Sequence, residues 1–163
     1  MSEQQTGKIE AIAIRTEKEG PMQLIDEATV AVAGGIEGDL PSSPHRGVTF
    51  ISAEQWDETT GELNVDIPWH TRRANVLVRG LKLAESFDCM LEIGDVRIRV
   101  EGETHPCGLM DRLQPGLKDA LKPQVRAGVH GRVLHAGTFS VGDEIRVVPL
   151  PADVASSSGP TGE

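Results

Sequence analysis

The segment Thr104-His105-Pro106-Cys107-Gly108 carries the most reactive group in this chain of 163 residues. Pro106 fixes φ and lacks an N–H, which stiffens the segment. Gly108 permits a positive φ or a close backbone approach. A thiol on a stiff loop of small residues is well placed to meet a ligand. Its thiolate is the nucleophilic and metal-binding form, and nearby cations favour that form. His105, Arg112 and Arg126 supply such a field if the fold gathers them, which makes Cys107 the candidate nucleophile or metal ligand and His105 its chemical neighbour. The alternative is that Cys107 is a small buried hydrophobe, a common fate of a free cysteine. Cys89 sits among Phe87, Met90 and Leu91 and reads as core or turn filler. The spacing of the two cysteines matches no familiar redox or zinc motif.

A second feature is Gly34-Gly35-Ile36-Glu37-Gly38-Asp39, followed by His45-Arg46-Gly47. No Gly-Lys-Ser/Thr follows, so it is not a phosphate-binding loop of the nucleotide-hydrolase kind, and no helix opens directly after it. A Gly-rich loop still offers backbone N–H groups to an anion. As an ordinary turn, it would have Asp39 capping backbone amides. Arg46, Arg72, Arg73, Arg126 and Arg132 fall in loops or at strand starts. Gathered together they would form a local basic pocket suited to bidentate phosphate contact. Taken singly, each reads as a solvated charge or an ion pair. His45, His70, His130 and His135 are scattered, without HExxH or CxxC, and no GxSxG elbow appears.

The elements that must position these groups are mostly strands. Extended runs are expected over Lys8–Arg15, Gln23–Ala33, Gly47–Ser52, Ala74–Arg79, Met90–Ile93, Val96–Val100, Arg132–His135, Thr138–Ser140 and Glu144–Pro149. In Val96–Val100 the apolar Val96, Ile98 and Val100 alternate with Arg97 and Arg99, the period of a half-buried strand. Gly94-Asp95 and Gly142-Asp143 are turn pairs. Many short strands with Gly-rich turns predict a mainly β fold, a small closed β-barrel with a few short helices, which leaves no exposed sheet edges. Ser52 and Gln55 fit the N-cap and N3 positions of a helix that Gly61 would stop. Pro115 would open a short helix bearing Leu117 and Leu121, ended by Pro123. A weaker helical signal covers part of 62–72.

With 18 Gly, 10 Pro and no Tyr, the core must rest mainly on Val, Ile and Leu, and a bundle of long helices is not expected. The length suits one domain: a loose segment over 1–7, a barrel over 8–150 and a Pro/Gly/Ser-rich disordered tail over 151–163. The net charge of −9 argues against nucleic acid and anionic membranes as partners. An anionic ligand would need a local basic pocket. Two cysteines and no apolar leader point to the cytoplasm.

Taken in order, these pieces resemble the MOSC family, found at the C-terminus of molybdenum cofactor sulfurases and as stand-alone bacterial proteins. The resemblance rests on Gly34–Asp39, His45–Ser52 with Glu54 and Trp56, Arg72–Val78 with Gly80, Leu91–Asp95, Thr104–Cys107, Arg126–Val129, Gly131–Leu134, and Gly137 with Gly142-Asp143. It implies a β-barrel core and identifies Cys107 with the family's cysteine, which is proposed to carry sulfur or to ligate molybdenum of a pterin cofactor. That cofactor, molybdopterin, bears a phosphate and a dithiolene. The resemblance therefore implies cofactor-binding roles for Gly38, Asp39, Arg46, Thr49, Arg73, Asn75, Arg126 and Arg132, with Cys107 as the metal ligand. The larger sulfurases add a domain with a pyridoxal phosphate lysine. This chain is too short to hold one, so a cysteine desulfurase would have to supply sulfur, and a molybdoenzyme could receive it. Three functions follow as expectations: a module that binds the small anionic cofactor or carries sulfur on Cys107; a molybdenum-dependent reductase of N-hydroxylated compounds; and a non-catalytic β-barrel interaction domain.

Overall fold

A computed structural model describes residues 5–17, 20–40, 47–106 and 108–151. Its strands are β1 (Thr6–Arg15), β2 (Met22–Ile25), β3 (Glu27–Val30), β4 (Val48–Ser52), β5 (Val76–Arg79), β6 (Cys89–Ile93), β7 (Val96–Glu103), β8 (Val129–His135), β9 (Gly137–Ser140) and β10 (Glu144–Pro149). The helices are α1 (Ala53–Leu63), α2 (Gly108–Leu113) and α3 (Leu117–Ala120).

The strand order β10-β6-β7-β8-β4-β5-β1 closes on itself because β1 also pairs with β10, giving a barrel of 7 strands. β2 adds to β1 outside that ring, and β3 pairs with β9 as a separate ribbon. The mainly β barrel expected from the sequence is therefore the observed fold. Alternation explains how it fills. Ile9, Val48, Phe50, Val76, Val78, Ile98, Val100, Val129 and Val133 point inward and belong to one apolar core. Arg97 and Arg99, between inward residues of β7, stand half-buried on the outside.

A second apolar layer covers part of the barrel's outer surface. Ile51 of β4 and Leu77 of β5 alternate with the inward residues and meet Trp56, Met110, Leu117, Leu121 and Ala127. At roughly 1.5–3 kcal/mol for each large apolar side chain fully buried, this layer fixes the helices against the barrel. The Ser52 hydroxyl accepts the Gln55 amide at 3.2 Å, as the capping signature requires. The reciprocal half of the box is replaced: Gln55 Nε2 donates to Gln124 O at 2.7 Å.

Several local expectations need correction. Gly61 does not stop α1; the helix runs to Leu63 and ends on Asn64 in the left-handed region, with φ 56°. The run Gln23–Ala33 is two strands in different sheets, separated at Asp26. The weak signal over 62–72 resolves into the end of α1 and a 3-10 turn, Trp69–Arg72. α2 has no counterpart in the sequence reading. α3 follows Gly116 rather than opening on Pro115, and Pro123 begins a further 3-10 turn, Pro123–Val125. The expected loose ends 1–4 and 152–163 lie outside the described residues.

Candidate functional site

Five of the residues singled out by the sequence, Gly38, Asp39, Thr49, Arg73 and Asn75, meet on the outer face of the barrel, beside the helical layer. β4 and β5 run parallel, so the residues just before β5 lie beside the start of β4. Thr49 and Asn75 meet there. The Thr49 amide and hydroxyl both donate to Asn75 Oδ1 at 3.1 Å, and the Asn75 amide donates to Thr49 Oγ1 at 2.9 Å. Asn75 Nδ2 donates to Ala13 O on β1 at 3.1 Å. His130 of β8 is the register partner of Thr49, and Gly102 of β7 is the register partner of His130. One row, Gly102–His130–Thr49–Asn75–Ala13, thus crosses five neighbouring segments.

The Gly34–Asp39 loop closes one end of this row. Gly38 adopts a left-handed φ of +90°, open to glycine and strained for other residues. Asp39 Oδ1 then accepts the Arg15 amide at 2.7 Å, and the Asp39 carboxylate also takes a hydrogen bond from Asn75. This is the capping role anticipated for Asp39, directed at the end of β1. Burial is the largest influence on Asp39 and pushes its pKa above the ordinary carboxylate value; the bonds from Arg15 and Asn75 and the charges of Arg15 and Arg73 pull the other way. Arg73 reverses the chain after the Trp69–Arg72 turn with φ 67°, and its Nη1 donates to Gly20 O at 2.7 Å.

The other end of the row belongs to the Thr104–Gly108 segment. The Thr104 amide donates to Gly128 O at 2.8 Å, which ties the end of β7 to the loop before β8. Gly128 has φ +95°, and a Cβ there would stand 2.0 Å from Phe50 O, so only glycine allows this approach. Thr104 is 1% exposed, and its hydroxyl has no hydrogen-bond partner among the described residues. Pro106 is half-buried and His105 exposed, and α2 begins at Gly108. Trp69 and Leu109 pack on the same outer apolar layer, and α2 meets the Trp69–Arg72 turn. His70 on that turn stands edge-on to Trp69, 5.8 Å between ring centres, and burial lowers its pKa.

The structure brings Gly38, Asp39, Thr49, Arg73 and Asn75 together. Arg126 is engaged by the helices. It is 6% exposed, bonded through Nη1 and Nη2 to Glu62 at 2.8 and 2.6 Å and to Ala120 O at 3.0 Å, and so ties α1 to the segment after α3. Arg132 is exposed on the outer face of β8, two residues beyond His130. Cys107 and Arg46, with His45, lie outside the described residues. The second thiol, Cys89, is half-buried; burial, and then the Asp88 charge, raise its pKa and disfavour thiolate.

Sequence reasoning missed Arg15 and understated Thr104 and His130. Arg15 Nη2 donates to Leu40 O at 2.8 Å, and its buried Nε has no hydrogen-bond partner among the described residues. Nothing in the alternation of β1 signals that its last residue turns to the loop 24 positions onward. Among the described residues no group of three or more His, Cys, Asp and Glu could hold a metal ion. The donor set suits an organic ligand. A half-buried carboxylate, an amide–hydroxyl pair, and the buried polar atoms of Thr104 and Arg15 fit a heterocycle rich in N–H and C=O groups.

Solved structures of other chains share the fold. A YUAD protein from Bacillus subtilis aligns with a TM-score of 0.78 at 23% identity, covering 93% of this chain and 100% of that one. YiiM from Geobacillus stearothermophilus aligns at 0.71 and 14% identity, covering 87% and 75%. YiiM from Escherichia coli aligns at 0.68 and 16% identity, covering 90% and 72%. No curated protein sequence matches this chain. The MOSC domain profile matches residues 37–146. That span runs from the Asp39 loop to β10 and covers more than half of the sequence, so the chain belongs to the MOSC domain family.

Proposed function

We propose that this protein binds a molybdenum-pterin cofactor on the outer face of the barrel, with Cys107 as its sulfur ligand or as the carrier of sulfur destined for it. The observation that carries the reading is the Asp39–Asn75–Thr49 cluster at one end of a row whose other end leads into the Cys107 segment. Neighbouring strands are about 5 Å apart, so the four steps from Gly102 to Ala13 span roughly 19 Å, enough for a bicyclic or tricyclic ring system. Asn75 and Thr49 fix the depth of the site, Asp39 faces ring N–H groups, and the Thr104 hydroxyl, which has no hydrogen-bond partner among the described residues, can donate or accept. The cofactor supplies two-electron redox and sulfur chemistry at its metal when bound; the residues here hold and orient it. Since no described cluster could cage the metal, it would arrive with its dithiolene and need only one thiolate from the chain. A desulfurase persulfide is the fitting sulfur donor. Its S–S bond breaks as the Cys107 thiolate attacks the outer sulfur, leaving a persulfide on Cys107 and a thiolate on the donor.

A second reading, a molybdenum-dependent reductase of N-hydroxylated compounds, draws support from Asp39. Converting N–OH to N–H and water takes up two electrons and two protons. A half-buried carboxyl with a raised pKa is suited to holding a proton there.

The test is native purification from cells grown with molybdate, followed by metal analysis and pterin fluorescence after oxidative release. The expected result is near-stoichiometric pterin, lost metal or persulfide in Cys107→Ser, and an unchanged circular dichroism spectrum. A wild-type chain with neither pterin nor persulfide would leave the third function, a non-catalytic interaction domain.

A further inference from the structure

Arg99 and Arg132 stand directly opposite each other on β7 and β8. Like charges at facing positions of an antiparallel pair destabilise a sheet. Both belong to the outer face: Ile98 and Val100, flanking Arg99, point into the barrel, as does Val133 beside Arg132. Arg99 is half-buried and has one carboxylate near it, Glu101 at 3.5 Å. Arg132 is exposed and has no ion pair among the described residues. Its neighbours on this face are otherwise matched. Glu92 on β6 sits between Arg97 and Arg146, with Arg97 Nη2 at 2.8 Å, and takes both charges. The unbalanced cation therefore falls at the Arg99–Arg132 pair, in a chain whose net charge is −9.

The pair also lies next to the candidate site. Arg132 is two residues from His130 on the same face, about 7 Å along the strand. That displacement runs toward the ends of β4 and β5 where Gly47 and Arg73 lie, because Gly47 bridges to Gly131 and β8 runs antiparallel to β4. It leads away from the Thr104 end of the row. A ligand seated on Asn75 and Thr49 and extending along the row over His130 comes alongside this pair, because His130 and Gly102 lie on the same two strands as Arg132 and Arg99.

We propose that Arg99 and Arg132 form a phosphoryl subsite that takes the anionic end of the ligand held in the Asp39–Asn75–Thr49 site. Two guanidinium groups facing each other offer the paired N–H donors that a phosphate dianion accepts. The dianion offsets the repulsion between the two guanidinium groups. The proposal rests on the reading of the adjacent site as a cofactor site, and Arg99 enters it on geometry alone.

The test uses the full chain, with inorganic pyrophosphate as the probe, followed by thermal melts and isothermal titration at low ionic strength. The wild type should bind pyrophosphate saturably and gain melting temperature with it. Arg132→Gln and Arg99→Gln should each weaken binding at least tenfold, while melting at the same temperature as the wild type or higher when pyrophosphate is absent. A purely structural arginine would instead lower the melting temperature when replaced. Cys89→Ser, on β6 and outside the site, should leave pyrophosphate binding unchanged. In the second arm, pterin retained after native purification should fall at least fivefold in both arginine variants. Absent or nonsaturable binding, or binding that survives both substitutions, would overturn the subsite. Pyrophosphate binding with unchanged pterin retention would reduce it to a free-phosphate site and overturn the link to the ligand. Pyrophosphate binding with no pterin in the wild type would sink the cofactor reading and leave the anion site standing.

Discussion

Thr49 and Asn75 hold each other across the parallel pair of β4 and β5: each backbone amide donates to the other's side-chain oxygen, at 3.1 and 2.9 Å. The same Asn75 reaches β1 through Ala13 O and bonds to Asp39. One 5%-exposed amide side chain therefore sets the positions of two strands and the Asp39 loop. Asn75→Ala leaves the Thr49 amide and the Ala13 carbonyl without these partners, at a cost of roughly 1–3 kcal/mol. Asn75→Asp should be no milder, because a carboxylate cannot donate to Ala13 O and adds charge beside Asp39. Urea denaturation of both variants measures this; equal stability of Asn75→Ala and wild type would contradict the bracing role.

Asp39 gives the pH dependence a definite sign. Its folded pKa is raised above the unfolded value, so the folded state binds that proton more tightly. The associated stability is fully present below the ordinary aspartate value of 3.8 and is lost as pH rises through the raised folded value. Asp39→Asn should flatten that decline while leaving the low-pH stability close to wild type. Melting temperatures taken between pH 3 and pH 7 separate the two curves. A steeper decline in the variant would reverse the assignment.

Glu62 titrates in the opposite sense. Its hydrogen bond from Arg126 holds the carboxyl below the usual range, so its contribution is present above the unfolded pKa and fades as pH falls through the folded one. The carboxylate is exposed whereas the guanidinium is buried, so the desolvated Arg126 is the sensitive partner. Arg126→Met should lower stability by about 1–3 kcal/mol, from lost hydrogen bonds and packing at the α1–α3 contact. It should not change pterin content per folded chain. A selective loss of pterin at wild-type stability would return Arg126 to the ligand site.

The two thiols should differ in reactivity. Burial and Asp88 raise the Cys89 pKa, so alkylation there should be slow near neutral pH. Cys107→Ser should remove the fast phase of iodoacetamide labelling, and Cys89→Ser should leave it intact along with bound sulfur or metal. Peptide mass spectrometry of partially labelled protein assigns each phase. Fast labelling of Cys89 would show that the wrong thiol has been chosen.

Alternation marked the strands, and their number and Gly-rich turns pointed to the barrel. Val96, Ile98 and Val100 against Arg97 and Arg99 can satisfy water on one side and a core on the other only as a strand. The cap at Ser52 was equally legible, because it depends on residues three apart. Positions 39, 49, 73 and 75 were named from the sequence through resemblance and loop chemistry, and the fold gathers them because β4 and β5 run parallel. The partner of each polar group was decided only in three dimensions. Arg126 and Arg73 are the same residue type in similar loops. One is absorbed by Glu62 and Glu58 from α1, and the other lies near Asp39. Arg15 was invisible as a site residue, since its neighbours Asp39 and Leu40 are 24 and 25 positions away. Local sequence carries the period of an element and the chemistry of a side chain. Which charges share a desolvated space depends on contacts between distant segments, and those are settled only when the sheet closes.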